Sequence, residues 1–326
     1  RKDFMSDQHI RWCPGCGDYS ILAQVQTAFT KLGIPKEQFA IISGIGCSSR
    51  FPYYMDTFGF HTIHGRAPAV ASGLKLARPD LSVWVVTGDG DMLSIGGNHI
   101  AHLLRRNVDL NVLLFNNQIY GLTKGQFSPT SELGKKTKSS PMGSVDNPFT
   151  PAEFALGCGA TMISRAIDTN TKHLRQSIID AEKHTGTSFV EIRQNCNIFN
   201  DGSHSDWTAK DVRDDRVLYM EHGQPLVWGK EQRRGLVQSG MNLKVVVLGD
   251  DVTEADCVVH DKTDKGLAWA LARLQGFDAP LMLGTLYQVE QEAYGKRVHD
   301  QIAAAKKLGA AEISSLLNTK DSWMMT

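Results

Sequence analysis

A doubly wound, mostly parallel α/β sheet is the fold class this sequence predicts, and three observations predict it. Short apolar runs, most of them rich in β-branched residues, read as strands buried on both faces. Amphipathic helical patterns separate them, and strand–helix alternation marks the class. Polar motifs follow four of the runs, on what would be one sheet edge, and open α/β sheets bind ligands at that edge.

The elements follow in chain order. Residues 19–32 read as a helix, because Ile21, Leu22, Val25, Phe29 and Leu32 share one face and Gly33 supplies a stop. Residues 39–43 are the first strand, and Gly44-Ile45-Gly46-Cys47 follows it. Residues 68–78 are helical. Residues 81–87 are the second strand, followed by Gly88-Asp89-Gly90-Asp91. A helix over 95–105 leads to a third strand at 110–115, which runs into Asn116-Asn117. Residues 126–151, with Ser, Gly, Lys and Pro, read as a long loop. Their position soon after Asn117 makes them a candidate cover for a site. A helix over 171–184 precedes the fourth strand, 189–193, and Asn195-Cys196 follows. Beyond Asn200 the pattern weakens to a strand at 244–248 and helices at 267–275 and 288–308. The organisation expected is a binding domain over 1–200 and a C-terminal extension over 201–326.

Bulk properties narrow the function classes. At about 150 residues per domain, 326 residues make one large domain or two ordinary ones. The 35 basic residues balance 35 acidic ones, which argues against a nucleic-acid or membrane-surface partner. No apolar run approaches the roughly 20 residues of a membrane span. The first residues carry charges and no apolar stretch, so a cytoplasmic location is expected. Six cysteines in a reducing compartment read as metal ligands or buried thiols. Cys158 and Cys257 stand without partner motifs and read as buried thiols.

The Gly-Asp-Gly-Asp motif places a carboxylate at a strand end between glycines. Such a carboxylate can reach a hard cation while backbone amides approach phosphate oxygens. After Gly90 come 26 residues and then Asn117, the span of one strand–helix–strand unit. Asn117 therefore lands on a neighbouring strand end, where its amide oxygen can join a set of six oxygen ligands around Mg2+. Alone, Gly-Asp-Gly is commonly an ordinary turn. With the spacing and the second motif it resembles the diphosphate domain of thiamine diphosphate enzymes. That resemblance implies that Asp89, Asn117 and the carbonyl of Ile119 hold Mg2+. It also implies that Gly90, Asp91, Gly121 and Leu122 line the cofactor.

Cys13-Pro14-Gly15-Cys16 lets two sulfurs bind one metal or one cluster, with Cys47 and Cys196 as single, distant partners. Thiolates serve zinc and iron–sulfur clusters alike, so residue type leaves both open. The distant third and fourth sulfurs favour a cluster. Beyond them, Trp12–Asp18, Gly44–Arg50, His64-Gly65-Arg66-Ala67, Gly88–Asp91 and Asn116–Gln126 appear in one order. Taken together they resemble the β subunit of a 2-oxoacid:ferredoxin oxidoreductase, most like the 2-oxoglutarate type, over nearly the whole chain. The resemblance implies one [4Fe-4S] cluster on Cys13, Cys16, Cys47 and Cys196. It places Ile45, Gly46, Cys47, Ser48 and His64 at thiamine diphosphate.

Other implications concern substrate and partners. The expected reaction converts 2-oxoglutarate and coenzyme A to succinyl-CoA and CO2, reversibly, with electrons passed to ferredoxin. Pyruvate or a broader range of 2-oxoacids is the alternative substrate. Arg50 and Lys124 are candidates for the substrate carboxylate, since a guanidinium grips carboxylates in a fork. The activating glutamate of thiamine enzymes is expected on an α subunit, in an (αβ)2 assembly. A zinc-stabilised scaffold leaves the diphosphate motif idle, and a non-redox thiamine enzyme leaves the cysteines idle.

Overall fold

The computed structural model describes residues 1–274, 278–309, 312–318, 323 and 325. The helices are α1 (Asp18–Leu32), α2 (Ala67–Ala77), α3 (Asp89–Leu93), α4 (Gly97–Arg106), α5 (Pro151–Gly157) and α6 (Thr171–Lys183). They continue with α7 (Ser205–Thr208), α8 (Arg213–Arg216), α9 (Lys265–Arg273), α10 (Tyr294–Lys307) and α11 (Ile313–Leu317). The strands are β1 (Phe39–Ser43), β2 (Phe58–His61), β3 (Ser82–Gly88), β4 (Leu110–Asn116), β5 (Met162–Ile167) and β6 (Thr187–Arg193). Then come β7 (Val217–Met220), β8 (Val227–Trp228), β9 (Arg234–Ser239), β10 (Asn242–Val247) and β11 (Leu281–Gln288).

Eight strands form one sheet in the order β2-β1-β3-β4-β6-β5-β11-β7. All pairings in it are parallel except β5 with β11. The strands are apolar on both sides because both faces are covered. Along β3, Val83 and Val85 enter a core shared with α2, α4, α5 and α9, while Trp84 and Val86 enter one shared with α1 and α6. The doubly wound expectation therefore holds. A buried Leu or Phe contributes about 1.5–3 kcal/mol, so two such cores make the four central strands a rigid support.

The four expected motifs sit on adjacent strands. Gly44–Cys47 follows β1, Gly88–Asp91 ends β3 and opens α3, Asn116-Asn117 ends β4, and Gln194–Cys196 follows β6. These strands are parallel neighbours, so all four motifs share one edge. The chain leaves β1 for β2 on one side and returns to β3 on the other. That reversal is the switch point where open sheets bind ligands.

The tail departs from the sequence expectation. Residues beyond 200 supply β7 and β11 to the main sheet, so the boundary at 200 falls inside one continuous sheet. They also form a small antiparallel sheet, β10-β9-β8. The helix expected at 288–308 begins only at Tyr294, because Gln288 is still paired with Met162 in the main sheet and Val289 N–H donates to Thr161 O. The helix expected at 267–275 is α9, and Gln275 lies outside the described residues. Among the described residues no helix is long and apolar enough to cross a membrane.

Candidate active site

A cleft opens at the shared edge. Its walls include Ile45, Gly46, Cys47, Ser48 and His64 on one side, Asp89, Gly90 and Asp91 at the base, and Asn117, Ile119, Gly121 and Leu122 opposite. Every residue expected at the organic cofactor or Mg2+ therefore meets in one place. Two close approaches show why glycine is needed there. A Cβ on Gly44 would stand 1.8 Å from Asp91 Oδ2, and one on Gly90 would stand 2.2 Å from the Tyr120 ring.

At the end where Mg2+ is expected, Asp89 is buried and its Oδ2 accepts from Ser128 Oγ (2.5 Å) and Thr130 Oγ1 (2.6 Å). Burial pushes its carboxyl up, and those two bonds pull it back. Asn117 Oδ1 accepts from Ile119 N–H at 3.1 Å, so the two expected ligands form one turn. Gln118 between them has φ +56°, the left-handed region uncommon for a residue with a Cβ. Behind the turn, Asn116 Nδ2 donates to Glu191 Oε1 at 2.8 Å and Asn116 Oδ1 stands 2.9 Å from Thr130 Oγ1. Glu191 is held by Arg165 Nε at 2.8 Å and lies 2.9 Å from Arg193 Nε. Burial alone would raise the Glu191 carboxyl, but the two guanidinium groups hold it down at about 2. His204 donates from Nε2 to Asn116 O (3.1 Å), and burial followed by Arg193 pushes its imidazole down to about 3.

Asp91 is a brace. Its oxygens accept from Gly65 N–H and Thr87 Oγ1, both at 2.8 Å, and His64 Nδ1 lies 2.5 Å away, off the hydrogen-bond axis. This places His64 on the cleft wall. The loop expected as a cover is divided. Ser128, Thr130 and Ser131 are buried and tied to Asp89 and Gln118 O, while most residues from 132 to 147 face solvent.

At the other end Cys47 lines the cleft, and Cys13, Cys16 and Cys196 lie near it on two further segments. Cys13 is exposed, Cys16 and Cys47 are half-buried, and Cys196 is buried. Cys196 and Cys47 flank Gly121, where a Cβ would lie 3.6 and 3.7 Å from their sulfurs. Gln194 Nε2 donates to Cys16 Sγ at 3.4 Å. Burial and then the Asp18 carboxylate push the Cys47 thiol up to about 12, and the same causes push Cys16 higher. Asp18 itself rises to about 7, mainly through burial, and its Oδ1 has no hydrogen-bond partner. Among the described residues no three His, Cys, Asp or Glu side chains converge on a single metal ion.

Arg50 and Lys124 do not line the cleft. Arg50 Nη1 donates to Arg11 O at 3.3 Å from the turn after Cys47, and Lys124 is exposed at φ +75°. Sequence reasoning gave no role to Asp18, Ser128, Thr130, Gln194 or Asn200. A serine–threonine pair soon after Asn-Asn was the available signal for two of them. Cys158 is half-buried and Cys257 buried.

The model for the thiamine pyrophosphate enzyme C-terminal TPP-binding domain matches residues 44–192, the segment that carries Asp89 and Asn117. The 2-oxoglutarate oxidoreductase subunit KorB of Mycobacterium tuberculosis is 51% identical over 99% of this chain and 87% of its own length. The 2-oxoacid:ferredoxin oxidoreductase 2 subunit beta of Aeropyrum pernix is 41% identical over 67% of this chain and 69% of its own. A solved 2-oxoglutarate:ferredoxin oxidoreductase from Magnetococcus marinus, with 2-oxoglutarate, coenzyme A and succinyl-CoA bound, superposes with a TM-score of 0.77. That match is at 36% identity over 94% of this chain and 90% of the matched one. With the Gly-Asp-Gly-Asp and Asn-Asn turns and Cys47 meeting in one cleft, and with relatives this similar along most of its length, the chain belongs to the β subunits of the 2-oxoacid:ferredoxin oxidoreductases.

Proposed function

We propose that this chain is the β subunit of a cytoplasmic 2-oxoglutarate:ferredoxin oxidoreductase, working with an α subunit in an (αβ)2 assembly. The reaction consumes 2-oxoglutarate, coenzyme A and two oxidised ferredoxins. It yields succinyl-CoA, CO2, a proton and two reduced ferredoxins, and it can run in reverse to fix CO2. The observation that carries this reading is that Cys47 and Asp89 line one cleft.

The residues present fit both inorganic groups. Asp89 and Asn117, with the Ile119 carbonyl, offer hard oxygen ligands for Mg2+. Ser128 and Thr130 hold Asp89 in place. Ile45, Gly46, Ser48, His64, Gly90, Asp91, Gly121 and Leu122 shape the wall for thiamine diphosphate. Bound there, thiamine diphosphate supplies the electron sink for decarboxylation, and the protein supplies position and electrostatics. At the cysteine end, Cys196 and the Asp18 carboxylate are buried and Cys16 and Cys47 half-buried, and iron ions would offset the burial that pushes Cys16, Cys47 and Asp18 up. Cys13, Cys16, Cys47 and Cys196 are thus the ligands proposed for one [4Fe-4S] cluster. The cleft-lining carboxylates are Asp18, Asp89 and Asp91, and no glutamate is among them. The activating glutamate is accordingly assigned to the α subunit.

Arg50 and Lys124, which do not line the cleft in this chain, are proposed to meet a substrate carboxylate in the complex with the α subunit. The test is the visible spectrum of the anaerobically purified complex. A broad band near about 400 nm that bleaches on adding 2-oxoglutarate, and less with pyruvate, is expected. No band removes the cluster, and stronger bleaching by pyruvate changes the substrate. In the same assay, neutral residues at Arg50 and Lys124 should raise the KM for 2-oxoglutarate; an unchanged KM removes their role.

A further inference from the structure

Asn200 belongs to neither set of proposed ligands, yet it touches both. Its side-chain Nδ2 donates to the carbonyl of Asn117 at 2.9 Å and reaches that of Gln118 at 3.3 Å. Its backbone N–H donates to Cys196 O at 3.0 Å, closing the short turn that carries the fourth cysteine. The residue is 6% exposed, so bulk water does not compete for these bonds.

The turn that Asn200 holds needs holding. Gln118 sits in the left-handed region, and such a residue persists only when its surroundings impose it. That reversal lies between Asn117 and Ile119, and both line the cleft. Three contacts impose it. Gln118 Nε2 donates to Thr130 O at 3.0 Å, Ser131 Oγ donates to Gln118 O at 2.7 Å, and Asn200 grips the peptide from the cysteine side. The first two come from the loop after the metal turn itself. Only Asn200, of these three, arrives from the segment of Cys196. The two loops also meet at Gln194, whose N–H donates to Asn116 O at 3.0 Å and whose side chain reaches Cys16 Sγ.

We propose that Asn200 is a positioning residue that couples the Cys196 turn to the metal-ligand turn, so that a filled cysteine site tightens metal-diphosphate binding. By linkage, metal and diphosphate then stabilise the cysteine site by the same factor. The physical step is short. If Cys196 loses its partners, its turn loosens, Asn200 withdraws, and Gln118 relaxes toward ordinary backbone angles. Asn117 and the Ile119 carbonyl then no longer point as one set. This inference rests on the function proposed above.

The experiment uses the purified complex under anaerobic conditions, with Mn2+ in place of Mg2+ and thiamine diphosphate present. Free Mn2+ is read by electron paramagnetic resonance, so no turnover is needed. In the wild type, removing iron by chelation should weaken Mn2+ binding about fivefold or more. Asn200→Asp keeps the shape and removes the donor. It should weaken Mn2+ binding about tenfold with iron still bound, and iron removal should then add nothing further. Unchanged Mn2+ binding in Asn200→Asp overturns the proposal, as does a full wild-type response to iron removal in that variant. Asn200→Ser retains the N–H bond to Cys196 and takes the place of the Asp variant if that does not accumulate. A wild type that holds neither iron nor Mn2+ with thiamine diphosphate sinks the proposed function instead. A wild type that holds both, with an inert Asn200, sinks the coupling alone.

Discussion

The two ends of the cleft are built differently. At the Asp89 end, hydrogen bonds from neighbouring side chains and backbone hold both proposed side-chain ligands, with the Asn117 turn also gripped by Asn200. Asp89 is held by Ser128 and Thr130, and Asn117 by the Ile119 N–H, with Asn116 and Glu191 behind them. At the cysteine end the thiols have little such support. Cys16 accepts one long bond from Gln194, burial and Asp18 push Cys16 and Cys47 away from ionisation, and Asp18 Oδ1 is orphaned. Preorganised polar sites keep their geometry before anything binds, whereas a site short of positive charge is completed by its ligand. The Asp89–Asn117 end, where Mg2+ is proposed, is of the first kind and the cysteine end of the second.

Removing one thiol should break this contrast most severely. Cys47→Ser should lose the iron and with it electron transfer to any one-electron acceptor, read by iron analysis and the absorbance near about 400 nm. Metal-diphosphate binding should persist in that variant, weakened by no more than about tenfold. Full iron content in Cys47→Ser would show that the sulfur is not a ligand.

The second effect falls on the metal end, at its buried root. Glu191→Gln leaves two guanidinium groups without their shared carboxylate, and breaking such a buried pair costs about 3–5 kcal/mol. Urea unfolding of the complex measures it. The pH dependence carries a sign. The folded-state value of Glu191, about 2, lies below its ordinary 4.5. Its stabilisation is therefore complete above about pH 4.5 and is lost as pH falls toward about 2. The Gln variant should lack that part of the acid loss. An identical acid profile in both proteins would show that the carboxylate is not paired as described.

The same contrast governs what could be read from sequence. The four central strands were legible because each is a short apolar run followed by a polar motif, and β1 matches its expected range, 39–43. β5 was not, because Met162–Ile167 carries Arg165, and a charged residue in an apolar run hides a strand. Only the fold reveals that Arg165 is neutralised by Glu191 on the adjacent strand. β11 was missed because its pairing with β5 spans more than a hundred residues, and local periodicity does not record distant partners. At the site, ligands in fixed motifs were legible. Their supports were not, since Ser128 and Thr130 lie in a stretch with no periodicity, and Asn200 acts through carbonyls that leave no trace in side-chain pattern.

Those supports give the smallest and sharpest test. Ser128 and Thr130 both donate to the same oxygen of Asp89, so either alone should hold much of the rotamer. Ser128→Ala and Thr130→Val should each weaken metal binding modestly. The double variant should lose about 10- to 100-fold, the range for partners that orient a metal ligand, and more than the two single losses combined. Shared partners make such effects non-additive. The Asp89 side chain itself is kept throughout, so kcat at saturating metal should hardly move while the metal concentration needed for half-activity rises. Two independent single losses that simply add would mean that each hydroxyl acts alone. No loss in the double variant would mean that burial by itself fixes Asp89, and the metal end would then owe its order to packing rather than to its hydrogen bonds.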